Sequence, residues 1–388
     1  MQGRPWTVLS YAFRPFFLLG GLFAIVAILL WVAMLHAADF VPAARDPVAW
    51  HAHEMLFGFA GAAIAGFLLT AVATWTSRPP VAGVLLGALV VAWITGRAAM
   101  LLGTRLPDLV VALADLAFPV LLAAIATREI VAGGSRRNFG IAVVLTAFAS
   151  LDVVFHLGQS GAWPGSDRTA LYLIVHGLLV LITVIGGRII PNFTANWLRH
   201  RGDARPPRSW PWVERLLIPL VILAGIADSF PAPAPLAATL AFGAAALHAL
   251  RLAGWRGQAA AREPLVVILH VAYAWLPVGY LLLGLTALGL PLPRSAALHA
   301  LTMGGISTMI LAVATRVALG HTGRALVAAP LTTVAYAILS VGVLVRILSP
   351  LATGWYLTLI DVAAAAWLVA FGLFTVVYWP ILTQPRKP

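Results

Sequence analysis

Histidine is the main metal- and proton-handling side chain in this 388-residue sequence, which has ten histidines and no cysteine. The absence of thiols excludes disulfides, zinc–thiolate sites and iron–sulfur clusters. Any tightly held metal must take imidazole, thioether, carboxylate or a prosthetic group. Two of the histidines fall in Trp50-His51-Ala52-His53-Glu54. On a helix, residues two apart point about 200° apart, so His51 and His53 serve different sites. Glu54 beside His53 could orient a ligand imidazole or carry protons. His176 has Tyr172 four residues before it on the same helical face; the pair could bind metal and supply a proton, or form an interhelical hydrogen bond. Neutral imidazole suits haem iron, copper and zinc. Arg97 is placed either to meet haem propionates or to snorkel to the bilayer interface. A P-loop, HExxH, GxSxG and a dinucleotide fingerprint are all absent.

The elements that position these residues follow from composition. Hydrophobic residues make up 61% of the chain and charged residues 10%, against about 25% charged in soluble domains. So few charges cannot cover an apolar surface with water-facing groups. A soluble enzyme, a disordered chain and a nucleic-acid-binding domain are excluded, and the surrounding medium is a lipid bilayer. The 25 basic residues exceed the 13 acidic ones by 12, an excess that reads as arginine anchors at a membrane surface. The fold class is all-α integral membrane, a single polytopic domain over 1–388 with about 12 transmembrane helices. Spans are expected at 15–36, 52–75, 81–102, 108–127, 139–157 and 168–190, then at 212–230, 235–252, 265–288, 295–317, 328–349 and 353–380. The first run is read as a span, not a removed signal peptide. Twelve spans place 19 basic residues on the side of the termini and 6 opposite. The expected location is therefore a bacterial inner membrane with both termini cytoplasmic.

Orientation assigns each histidine a depth. His51, His53, His176 and His299 gather toward the outer face, with His270 and His321 nearer the cytoplasmic side. His36, His156, His200 and His248 read as structural. His53, His176 and His299 recur at intervals of 123; Asp115 and Asp361 each follow a histidine of the set by 62, and Gly58 and Gly304 by 5. The middle member breaks both patterns, with Ala238 and Leu181. The spacing predicts three four-helix units, about 15–127, 139–252 and 265–380.

Specific strings carry a resemblance: YAFRPFFLLG (Tyr11 to Gly20), WHAHEMLFGF (Trp50 to Phe59), AGFLLTAVATWTSRPP (Ala65 to Pro80), GGRIIPNFT (Gly186 to Thr194), HALTMGGISTMILAVATR (His299 to Arg316) and LGHTGR (Leu319 to Arg324). The chain resembles the NnrS family of polytopic membrane proteins from end to end, departing where Ala73-Thr74 replaces a Pro-Asn. The resemblance implies a haem- and copper-containing inner-membrane protein linked to nitric oxide metabolism and nitrosative stress. It points to His51, His53, His299 and His321, which stand within the matching strings. The layout is also similar to the catalytic subunits of haem–copper oxidases and nitric oxide reductases, although helix 7 here lacks histidine and helix 10 has one where those have two.

With haem and copper implied by the resemblance, depth and spacing give a concrete expectation for their ligands. His53 and His299 are axial ligands of haem b, with Arg97 toward its propionates, and His51 and His176 are copper ligands. His270 and His321 serve another metal site or a structural role. Tyr172 and Glu54 handle protons. Reduction of nitric oxide would need an external electron donor, because no second redox domain is encoded. The competing readings are a twelve-span permease without redox chemistry and a protein that binds nitric oxide without turnover.

Overall fold

The computed structural model describes residues 7–36 and 46–387. Arg4 and Arg45, which enter the count of basic residues by side, lie outside the described residues. Twelve long helices account for nearly all of the described chain: α1 (Phe13–Leu35), α2 (Pro47–Thr76), α3 (Gly83–Leu101), α4 (Asp108–Ala132), α5 (Phe139–Gln159), α6 (Ser166–His200), α7 (Pro211–Ser229), α8 (Ala234–Ala253), α9 (Pro264–Ala287), α10 (Arg294–His321), α11 (Pro330–Leu348) and α12 (Tyr356–Thr383). No strand occurs among the described residues. In a bilayer only intra-segment hydrogen bonding satisfies the backbone, so an apolar chain of this kind resolves into helices.

Eleven of the twelve helices are long and apolar enough to cross a membrane. The exception, α7, is 19 residues long and carries Glu214, Arg215 and Asp228. Those charges sit near its ends, which leaves the middle of the helix apolar. Large aliphatic side chains project outward from many helices, Val84, Leu109, Val143 and Val376 among them, each more than 60% exposed. Such residues are the lipid-facing surface of a membrane protein, where water would make them a liability.

Helix boundaries follow local chemistry. Asp46 caps α2 by accepting from the backbone N–H groups of Val48 at 2.9 Å and Ala49 at 3.1 Å, with Pro47 in the first turn where its missing N–H costs nothing. Two helices change pitch. In α2 residues Glu54–Phe59 are π-helical, and in α10 residues Ala300–Ser307 are. The widened turns begin immediately after His53 and His299, and π-bulges cluster at functional sites.

The chain forms two compact units. Unit 1 comprises Met1–Ile174, Val317–Ala325 and Phe371–Pro388, and unit 2 comprises Val175–Arg316 and Leu326–Ala370. In unit 1, α1 packs on α2, while α3, α4 and α5 pack in sequence. In unit 2, α7 packs on α8, α8 on α9, and α9 on α10.

Candidate metal centre

Four helices of unit 1 bring ionisable side chains together in its interior. His53 and Glu54 come from α2, Arg97 from α3, Asp115 from α4, and Asp152 with His156 from α5. Asp152 and His156 are four apart and therefore share a helical face. Two close approaches make the assembly possible. At Gly58, in the π-helical turn, a Cβ would lie 2.9 Å from an Arg97 guanidinium nitrogen and 2.7 Å from Phe23; at Gly96 it would lie 2.9 Å from an Asp115 oxygen. Trp93 donates to the Gly58 carbonyl at 3.0 Å, satisfying an acceptor in the altered turn.

His53 lies at the centre with no exposed surface. Its Nδ1 is 3.0 Å from Glu54 Oε1; its Nε2 is 2.9 Å from Asp152 Oδ1 and 3.1 Å from Asp115 Oδ2. His156 Nε2 approaches the same Asp115 oxygen at 3.0 Å and Asp152 Oδ1 at 3.8 Å. Arg97 donates to both Glu54 Oε1 and Asp115 Oδ1. Phe57 and Phe155 cover the two faces of the His53 ring at centroid distances of 4.8 and 4.4 Å. One ligand atom each from His53, Asp115, Asp152 and His156 all lie within 4.8 Å of one another.

The charges do not cancel. With neutral imidazoles, three carboxylates face one guanidinium, a formal excess of two negative charges inside the protein. Asp152 Oδ2 and Glu54 Oε2 have no hydrogen-bond partner, although both are buried. Buried charge is tolerated only when paired or coordinated, so the group calls for a cation or protons. Next to His156 is a cavity of about 60 Å³ that reaches toward the surface, lined by Trp50, Met100, Thr104, Asp108, Gln159 and Ser160 among others.

The expected cofactors fare differently against these residues. A divalent metal fits, because two imidazoles and two carboxylates form a donor set that suits copper(II), zinc or iron. Haem at His53 does not fit. Both ring nitrogens are engaged by carboxylates and both ring faces are covered, and the adjoining cavity is far smaller than the roughly 300 Å³ or more of a typical cofactor site. His299 is arranged otherwise. Its Nδ1 donates to the Ser295 carbonyl at 2.7 Å, which fixes the tautomer of the ring.

The remaining predicted residues take separate positions. His51 stacks on Trp31 at 4.5 Å, away from His53 as the helical spacing requires. His176 belongs to unit 2, where its Nε2 is 3.0 Å from Asp228 and its Nδ1 is 3.5 Å from the Tyr280 hydroxyl, so both nitrogens are taken up without metal. Tyr172 is half-buried one turn before it. His270 Nδ1 donates to the Val266 carbonyl at 3.0 Å. His321 lies near the rings of Phe13 and Tyr11.

Two expectations need correction. Arg97 does not snorkel: it is 7% exposed and bound to two carboxylates. Its partners Glu54 and Asp115 converge with Asp152 around His53. His156, read as structural, is part of the group. Asp152 was missed altogether, although a lone carboxylate inside an apolar run is costly and a pointer to function. The i, i+4 pairing of Asp152 with His156 was the second available signal.

No curated protein matches the chain. The family described as NnrS protein matches residues 7–386, which takes in all twelve helices and every residue of the buried group. With that match added to the strings in α1, α2 and α10, the chain belongs to the NnrS family of membrane proteins.

Proposed function

We propose that this membrane protein holds a copper ion at His53, Asp115, Asp152 and His156 and uses it to bind nitric oxide and help remove it. The observation that carries the reading is the convergence of four buried donor atoms within 4.8 Å. Membership of the NnrS family fits a nitric-oxide-related role. A divalent cation would also neutralise the two surplus negative charges that the residues leave. Nitric oxide is small and uncharged, so it can arrive through the lipid phase.

Bound copper would supply one-electron chemistry and a coordination position for the gas. The protein's own residues do the rest. Glu54 fixes the orientation of His53, and Arg97 fixes Glu54 and Asp115. Phe57 and Phe155 keep water off the His53 ring. The free oxygen of Glu54 can hold a proton, and the small cavity beside His156 connects the group toward the surface. Reduction of the gas would draw electrons from an external donor. Of the two axial ligands expected for the haem b that the family resemblance implies, His299 remains once His53 is given to the metal group. The π-helical turns that follow both histidines support a repeat of four-helix units.

Metal analysis of the purified protein tests the reading. Copper should be bound by wild type, lost from His156→Ala and Asp152→Ala, and retained by His51→Ala. Equal copper in all four proteins would overturn the site. An absorption spectrum of the reduced protein with and without nitric oxide tests the haem. Single-turnover consumption of the gas separates turnover from binding, and absence of both metals would favour a permease.

A further inference from the structure

Unit 2 contains a second buried series of ionisable groups that the proposed metal chemistry does not use. It begins at Glu214, near the start of α7, whose carboxylate binds the Arg251 guanidinium on α8. Arg251 also donates to the Tyr273 hydroxyl on α9 at 3.1 Å and to the Thr183 carbonyl at 2.7 Å. The Tyr273 hydroxyl is 2.8 Å from His248 Nδ1. The His248 ring lies parallel to Tyr280, at 10° and 5.7 Å. One turn and more along, the Tyr280 hydroxyl is 3.5 Å from His176 Nδ1, and His176 Nε2 is 3.0 Å from Asp228. Asp228, near the end of α7, pairs with Arg294 at 2.8 Å.

The donors and acceptors in this series have a direction. Arginine only donates, so it occupies a lone pair of Tyr273 and leaves that tyrosine's O–H to donate to His248 Nδ1. The neutral imidazole must then carry its proton on Nε2. That N–H has no partner, although His248 has no exposed surface. A buried orphan donor is destabilising, and an unsatisfied buried group calls for an explanation such as an unrecorded water or a functional role. Tyr273 and Tyr280 are equally buried. The two ends differ. The Glu214 side chain is 35% exposed and that of Asp228 16%. Fourteen residues of α7 separate them, about 21 Å at 1.5 Å per residue, which is most of the ~30 Å hydrocarbon core.

We infer that unit 2 is a proton path, carrying protons between Glu214 and Asp228 through Tyr273, His248, Tyr280 and His176. One proton enters at one end and one leaves at the other. Each hydroxyl or imidazole accepts on one atom and releases from another, with no change in electron count. Two hops lack a direct hydrogen bond, from Glu214 past the Arg251 guanidinium to the Tyr273 hydroxyl and from His248 Nε2 to the Tyr280 hydroxyl, and each is bridged by one water or by side-chain reorientation. Arg251 stays protonated throughout and acts by holding Tyr273 in its donating role. The path lies wholly in unit 2, and its test needs neither metal nor nitric oxide, so it stands or falls apart from the metal reading.

The experiment is proton uptake into proteoliposomes of the full chain, loaded with a pH-sensitive dye and driven by a potassium diffusion potential. Wild type should acidify the lumen faster than empty vesicles. Tyr280→Phe keeps the ring against His248 and removes only the hydroxyl; it should lower the protein-dependent rate at least about tenfold. His248→Ala should be equally slow and should regain flux on addition of imidazole, which a merely structural histidine would not show. Wild-type flux equal to that of empty vesicles, or Tyr280→Phe flux equal to wild type, would overturn the inference. Matching circular dichroism and elution profiles confirm that the variants compared are folded.

Discussion

Arg97 is the position where the electrostatics of unit 1 can be tested most sharply. Replacing it with methionine keeps an unbranched chain of similar length but removes the guanidinium that, among the described residues, faces Glu54 and Asp115. The formal excess rises from two negative charges to three, inside a site where Arg97, Glu54 and Asp115 are each less than 10% exposed. Breaking a buried ion pair from one side costs about 3–5 kcal/mol. Unit 1 has roughly 200 residues, and at roughly 2–4 °C per kcal/mol for that size the midpoint should fall by about 6–20 °C. Thermal unfolding of the detergent-purified, metal-free protein measures it. The diagnostic variant is the double Glu54→Gln/Arg97→Met. It returns the excess to two, so it should recover about half of the loss although it changes one more residue. A double variant less stable than Arg97→Met, or an Arg97→Met midpoint equal to wild type, would refute the charge argument.

Gly58→Ala places a methyl against Phe23 and Arg97; overpacking of this kind should cost about 1–3 kcal/mol, read as a lower unfolding midpoint. Arg14, 3% exposed, donates to the carbonyls of Leu382 at 2.8 Å and Gln384 at 2.7 Å. Arg14→Ala should therefore loosen the end of α12 by about 1.5–3 kcal/mol, seen as faster proteolysis of the C-terminal segment with earlier sites unchanged. Asp203, in the loop between α6 and α7, is held below the ordinary carboxylate range by hydrogen bonds from Arg205 and then Arg256. A carboxylate lowered on folding stabilises above its unfolded pKa of about 3.9 and loses that contribution as pH falls through its folded value. The stability difference between wild type and Asp203→Asn should therefore be constant near neutral pH and shrink in acid; a difference that grew in acid would contradict the sign.

Much of the architecture was legible in the sequence because the bilayer allows so few solutions. Apolar runs of about 20 residues must be helices, so twelve of them could be marked off between Pro- and Gly-rich joints. The separation of His51 from His53 also followed from helical geometry alone, and the structure places them on different neighbours, Trp31 for one and three carboxylates for the other. The candidate centre was only half visible. His53 and Glu54 stood out in one string, but Asp115 entered only as a spacing, Arg97 was read toward haem propionates or the bilayer interface, and Asp152 was passed over.

The reason is physical. Composition and run length determine that a segment is a membrane helix, and periodicity determines which residues share its face, but neither tells which faces meet. In this chain the group around His53 is completed from positions 97, 115, 152 and 156 on three other helices. The spacing of 123 directed attention along the chain, whereas the cost of burying charge acts across it. A carboxylate inside a low-dielectric interior must find an arginine, an imidazole or a cation within a few ångströms. Only packing decides which. The sequence by itself determined a polytopic helical protein of the NnrS type; the tertiary structure decided that its intramembrane charges meet at His53.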